Sequence, residues 1–153
     1  MKYILTSLFA LTLFISCNSN DDPKKTDYTV ENEKEIVDYI AKNKLDAKRT
    51  DSGLYYVVNE PGDGAQPTAS SNVTVAYKGY YSNGSIFDQS KAAGISFGLN
   101  QVIKGWTEGI PYFKVGGSGI LLVPSHLGYG PFDYNSIPGG SVLIFDVKLI
   151  SVN

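Results

Sequence analysis

The sequence predicts an α+β fold, an antiparallel β-sheet with one short α-helix against its concave face. Three observations carry that expectation. From Gly53 onward, apolar residues recur with period two or in short runs bounded by turn residues. Among these runs lies one short stretch, Val102 to Ile110, whose Ile103, Trp106 and Ile110 share one helical face. Gly (16) and Tyr (11) are abundant in the 153 residues, which suits strands joined by tight turns. That length accommodates one ordinary domain and not two separate cores.

The chain divides before the sheet begins. Residues 1–16 open with Lys2 and continue as an apolar run, Tyr3 to Ile15, interrupted by Thr6, Ser7 and Thr12. Such a segment reads as a signal peptide, too short to span a bilayer comfortably. It ends in Phe14-Ile15-Ser16-Cys17, which resembles the lipobox of bacterial lipoproteins, with Phe14 in place of the usual Leu. That likeness implies cleavage before Cys17 and lipidation of it; the other reading is an incidental cysteine in an uncleaved anchor helix. Residues 17–29 follow as the lipidated Cys and a polar, Pro23-containing flexible tether. Asp21 and Asp22 resemble a surface-export signal, and a solvated tether would look the same.

Residues 30–50 are expected to hold an N-terminal helix and its connection. Ile36, Val37, Ile40 and Ala41 form a narrow apolar stripe between Glu31 to Lys44, with acidic residues early and Lys42 and Lys44 late, as the helix dipole prefers. The stripe packs on the domain or mediates a self-contact, and packing is favoured.

Within residues 51–153, strands are expected at Leu54–Val58, Val73–Tyr77, Ile95–Leu99 and Ile120–Val123. A last strand carries Leu143, Phe145, Val147 and Leu149 on one face, with Asp146 and Lys148 on the other. Asn83-Gly84 signals a tight turn. Gly105 inside the short helix costs about 1 kcal/mol relative to Ala, so something must approach the backbone closely there.

The polar inventory excludes several chemistries. Cys, His, Met and Trp each occur once, which rules out a disulfide scaffold or a Cys/His metal cluster within one chain. No Ser lies in a nucleophile elbow. Lys plus Arg is 13 against 15 for Asp plus Glu, a balance that gives no footprint for nucleic acid. What stands out is aromatic residues beside glycines, from Tyr77 to Phe145.

Those residues carry a resemblance. Val73-Thr-Val-Ala-Tyr77-Lys-Gly79, Gly84-Ser-Ile-Phe87-Asp88-Gln-Ser90, Phe97-Gly-Leu99 and Val102-Ile-Lys-Gly-Trp106-Thr-Glu-Gly109 appear in order. Pro124-Ser-His-Leu-Gly-Tyr129-Gly130 and Ile137-Pro138 then lead into Leu143-Ile-Phe145-Asp-Val147. The set resembles the FKBP-type peptidyl-prolyl cis–trans isomerases over roughly Gly53 to Val152. The likeness implies a half-barrel-like antiparallel sheet wrapped around one short α-helix, an FKBP-like isomerase domain at 51–153. It also implies isomerisation of X–Pro bonds in proline-containing polypeptides, with no cofactor and no metal.

Carried over position by position, Trp106 would be the pocket floor, and Tyr77, Phe87, Phe97, Val102, Ile103 and Phe145 its walls. Asp88 would lie beside the substrate carbonyl region. The Tyr129 hydroxyl and the Ile103 N–H would donate hydrogen bonds, and Ile137 would close the loop side. Macrolide-type inhibitors of the family are a further implied ligand class. Together with Cys17, the resemblance implies a lipid-anchored folding helper in the bacterial cell envelope, on the outer membrane. The alternative is a non-catalytic peptide-binding or adaptor module in an envelope assembly. Two departures mark the substrate-side loop: Gly139 stands where a second proline is common, and Pro131 to Ser136 does not follow the family's pattern. His126 is expected to be an exposed loop residue.

Overall fold

The computed structural model describes residues 26–153. The signal peptide expected at 1–16, Cys17 and the tether as far as residue 25 lie outside the described residues. Helix α1 (Thr29–Asn43) comes first and ends at Lys44, whose left-handed φ of 54° turns the chain back toward the sheet. The strands are β1 (Lys48–Arg49), β2 (Tyr55–Glu60), β3 (Asn72–Tyr80), β4 (Ile86–Gln89), β5 (Ile95–Gly98), β6 (Ser118–Val123) and β7 (Leu143–Val152). Helix α2 (Lys104–Gly109) lies between β5 and β6.

The sheet is antiparallel and open, in the order β1-β2-β6-β7-β3-β4, with β5 also paired to β3. β3 is therefore the organising strand. One edge runs along β7; the other is shared by β5 at residues 72–75 and β4 at residues 78–80. The antiparallel sheet with a short helix on its concave face is as the sequence led us to expect. β1 and β4 were not anticipated as strands. β1 is two residues long, and β4 is a four-residue exposed edge strand whose two apolar residues precede two polar ones, so neither gives a period-two signal.

Alternation along β6 and β7 makes two cores. Leu121, Leu143, Phe145, Val147 and Leu149 join Val73, Val75, Trp106, Ile110 and Phe113 on the concave side. Leu122 and Ile144, cross-strand partners, point the other way and meet Ile36, Tyr55, Val57 and Val142. The sequence assigned β7 a single apolar face; the structure buries Ile144 as well, because α1 covers the second face. Helix α1 thus packs on the domain, chiefly through Ile36, which has no exposed surface, while Val37 remains 45% exposed. Burying a side chain like Ile36 contributes about 1.5–3 kcal/mol.

Helix α2 is positioned by its glycines. A Cβ at Gly105 would lie 2.5 Å from Val123 Cγ1, and one at Gly109 would lie 2.7 Å from Leu121 Cδ2. The close approach expected at Gly105 is therefore that of β6, and it lets the helix sit directly on the sheet. Trp106 faces the opposite end of the concave surface, toward β3, β5 and β7. Among the described residues, no helix is long and apolar enough to cross a membrane.

Candidate active site

Between α2 and the concave sheet lies a cavity of about 510 Å³. Tyr77 reaches it from β3, Phe87 and Asp88 from β4, Phe97 from β5 and Phe145 from β7; Val102, Ile103 and Trp106 come from the segment entering α2. Tyr129 lines the open side, from the loop after β6. Every one of these residues was singled out by its motif, and the fold brings them to one place.

Trp106 is 5% exposed and takes ring contacts from three directions. Tyr77 meets it edge-on at 5.0 Å, Phe145 edge-on at 5.2 Å and Phe97 tilted at 5.3 Å. Phe87 stands perpendicular to Phe145 at 5.6 Å. Edge-to-face packing matches the positive ring edge to the negative ring face, and it leaves a rigid apolar hollow rather than a collapsed stack. Gly79 makes room for it: a Cβ there would lie 2.7 Å from the Phe87 ring. The indole N–H of Trp106 is the one buried side-chain polar atom without a hydrogen-bond partner among the described residues.

The polar groups stand at the rim. The Tyr77 hydroxyl donates to Asp88 Oδ2 at 2.5 Å. Burial first, and then this bond to a carboxylate, push the Tyr77 phenol above its ordinary pKa. Burial also raises Tyr129, with smaller contributions from Tyr134 and Asp88. The Tyr129 hydroxyl makes no hydrogen bond among the described residues, and its ring stacks on Tyr134 at 4.6 Å with the planes 8° apart. The Ile103 carbonyl accepts the N–H groups of Trp106 and Thr107, which starts α2 and fixes the residue at the cavity wall.

Four placements differ from the expected set. Ile137 does not line the cavity; it is 9% exposed within the concave core, and its backbone pairs with that of Tyr134. Tyr134 and Ile95 do line it and were not foreseen, and Gln101 completes the wall. The available cue for Tyr134 was a large aromatic between the turn-formers Asp133 and Asn135, where a core role is unnatural. His126 is exposed on the far side of that loop, where Nε2 lies 2.8 Å from the Ser52 carbonyl. No group of three or more His, Cys, Asp or Glu side chains converges as a metal site among the described residues.

The divergent loop is internally consistent. Gly139 donates its N–H to Asp133 Oδ1 at 2.8 Å, and a Cβ on Gly139 would lie 2.3 Å from the Pro131 carbonyl oxygen. A proline at that position could neither donate nor fit.

Residues 64–150 match the sequence profile of the FKBP-type peptidyl-prolyl cis–trans isomerases. The chain is 44% identical over 127 residues to the FKBP-type peptidyl-prolyl cis–trans isomerase FkpA of Aeromonas hydrophila, covering 80% of this chain and 47% of that one. Its fold is similar to the crystal structure of FkpA from Escherichia coli, with a TM-score of 0.68 at 38% identity, over 81% of this chain and 63% of that one. A peptidyl-prolyl cis–trans isomerase from Pseudomonas syringae superposes with a TM-score of 0.70 at 31% identity, over 82% of this chain and 96% of that one. The chain spans a little under half the length of the first curated relatives it matches.

Proposed function

The chain belongs to the FKBP-type peptidyl-prolyl cis–trans isomerase family, and on that premise we propose that it accelerates isomerisation of X–Pro bonds in polypeptides. The observation that carries this reading is the aromatic cavity floored by Trp106, with the Tyr77–Asp88 pair and Tyr129 at its rim. An X–Pro amide is held planar by resonance, with a barrier of about 18–20 kcal/mol. Twisting it breaks no covalent bond and reduces the charge separation of the amide, so an apolar hollow favours the twisted state relative to water. The prolyl ring fills the space over Trp106. Asp88 stands beside the substrate carbonyl region, while the Tyr129 hydroxyl and the Ile103 N–H hold the flanking chain in a turn. Bonds that form best around the twisted amide lower the barrier selectively. A ten-thousandfold acceleration corresponds to about 5.5 kcal/mol, a magnitude open to aromatic burial plus two or three aimed hydrogen bonds.

A protease-free assay on an Ala-Leu-Pro-Phe peptide tests the reading. The intact chain is expected to accelerate exchange, and Phe87→Ala to abolish most of the acceleration. A folded chain that leaves the rate unchanged would identify the cavity as a peptide-binding site without turnover. Macrolide-type inhibitors of the family would compete for the same space.

The substrates are exported proteins, and the enzyme is tethered to the bacterial envelope, on the outer membrane, through lipid on Cys17. The supporting feature is the apolar run ending in Ser16-Cys17, followed by a polar tether. Mass spectrometry of the membrane fraction should find a lipid-modified Cys17 at the mature N-terminus; an unmodified soluble chain would contradict the anchor.

A further inference from the structure

Tyr129 is held by a closed ring of hydrogen bonds that begins outside the family's matched segment. The Ser125 carbonyl accepts the N–H groups of Gly128 (3.0 Å) and Gly130 (2.8 Å), the two residues flanking Tyr129. The Gly130 carbonyl accepts the Gly140 N–H at 2.9 Å. The remaining groups, the Ser125 N–H and the Gly140 carbonyl, both go to one side chain. Asn32 Oδ1 accepts the former and Asn32 Nδ2 donates to the latter, each at 2.8 Å. Asn32 lies in α1, is 2% exposed, and is one of only two buried polar residues among those described. The family profile begins at residue 64.

The neighbouring packing has the same purpose. Gly140 adopts φ +78°, and a Cβ there would lie 2.6 Å from the Tyr28 ring at the start of α1. The first turn of α1 is thus seated at the base of the loop that spans residues 125–140. That loop carries both aromatic rings of the cavity's open side, Tyr129 and Tyr134. An amide is the side chain suited to this place, since one group must accept and the adjacent group must donate. Removing it leaves a buried N–H and a buried carbonyl unpaired, on opposite sides of the loop.

We propose that Asn32 is a positioning residue for prolyl isomerisation, closing the ring with Ser125, Gly130 and Gly140 and so fixing Tyr129 over the cavity. The proposal rests on the isomerase reading above, and it makes α1 part of the site rather than a spacer. It also places the entry of the N-terminal chain against the substrate-side loop.

A double-mutant cycle in the intact protein tests it. Asn32→Ala should lower kcat/KM about 3- to 10-fold at temperatures well below its Tm. In a Tyr129→Phe background the same change should cost less than about 2-fold, because the group that Asn32 positions is already gone. Equal losses in both backgrounds would overturn the proposal. Ile36→Ala serves as the control, loosening α1 without touching the ring. It should lower Tm while leaving kcat/KM unchanged; an equal loss of activity would reduce Asn32 to general stability and also overturn the proposal. Hydrogen exchange separates this question from the function itself. In Asn32→Ala the Ser125, Gly130 and Gly140 amides should lose protection while β3 and β7 amides keep theirs. Unchanged protection at the loop would overturn the ring even if the unaltered chain proved inactive on peptides, whereas inactivity alone would strike only the isomerase reading.

Discussion

The Tyr77 hydroxyl and the Asp88 carboxylate form one unit: the phenol donates to Oδ2 at 2.5 Å and joins β3 to the edge strand β4 across the cavity mouth. Asp88 is exposed, so its orientation depends on Tyr77 rather than on packing. Tyr77→Phe and Asp88→Asn should therefore have similar consequences, each lowering kcat/KM on a prolyl peptide about 3- to 10-fold. The double variant should lose little more than either single one, since groups that act as a unit are not additive. Losses that multiply would show that the carboxylate works independently of the phenol.

Gly105 sets helix propensity against packing. Gly→Ala in a helix interior ordinarily gains about 1 kcal/mol, but here the new methyl would lie 2.5 Å from Val123 Cγ1. Overpacking a well-filled core costs about 1–3 kcal/mol, so the clash should win. Gly105→Ala is expected to lower the urea midpoint without changing the slope. Adding Val123→Ala should recover part of that loss, although Val123→Ala alone destabilises. A stabilised single variant would mean that α2 can lift off β6 without cost.

The parts of the molecule differ in how far they are legible in sequence. The cavity's aromatic set was readable because each residue sits in a short local motif, and strand alternation then aims Tyr77 and Phe145 inward. The second face of β7 was not. Ile144 reads as an interruption of the 143, 145, 147, 149 pattern until α1 is known to lie behind it. Asn32 is the extreme case: its partners lie 93 and 108 residues away, and nothing near it in the chain sets it apart from a surface asparagine. Ile137 differs the other way: its motif points to the cavity, while its side chain lies in the concave core and is not among those lining the cavity. Local pattern specifies which face a residue takes; closure of loops over the site is decided by distant partners.

Two half-buried phenols make alkaline stability a readout of the sheet. Burial, and then hydrogen bonding to Asp88, raises Tyr77; burial, then Tyr39 and Asp146, raises Tyr80. A folded pKa above the unfolded value of about 10 means that the unfolded chain loses its proton first. The contribution is fully present below pH of about 10 and is lost as pH rises through the folded values. Stability should therefore be insensitive to these two groups near neutrality and fall progressively above about pH 10. Tyr80→Phe should make the fall shallower, measured by urea unfolding at stepped pH. A slope unchanged by the substitution would mean that Tyr80 ionises equally easily in both states.

Restoring the proline common in the family at position 139 should harm this protein. Gly139 gives its N–H to Asp133 and passes close to the Pro131 carbonyl, so the loop is built around a residue with neither ring nor Cβ. Proline would remove the donor, leave Asp133 unpaired and force Pro131 aside. Because Tyr134 lies within the same loop and stacks on Tyr129, the displacement would reach the cavity. Gly139→Pro is expected to raise KM for a prolyl peptide more than it lowers kcat, since the loop borders the bound chain. Asp133→Ala, which removes the bond without adding bulk, should produce a smaller change in the same direction. An improved KM in Gly139→Pro would show that the loop can adopt the family's usual path and that its present course is not set by the Asp133–Gly139 contact.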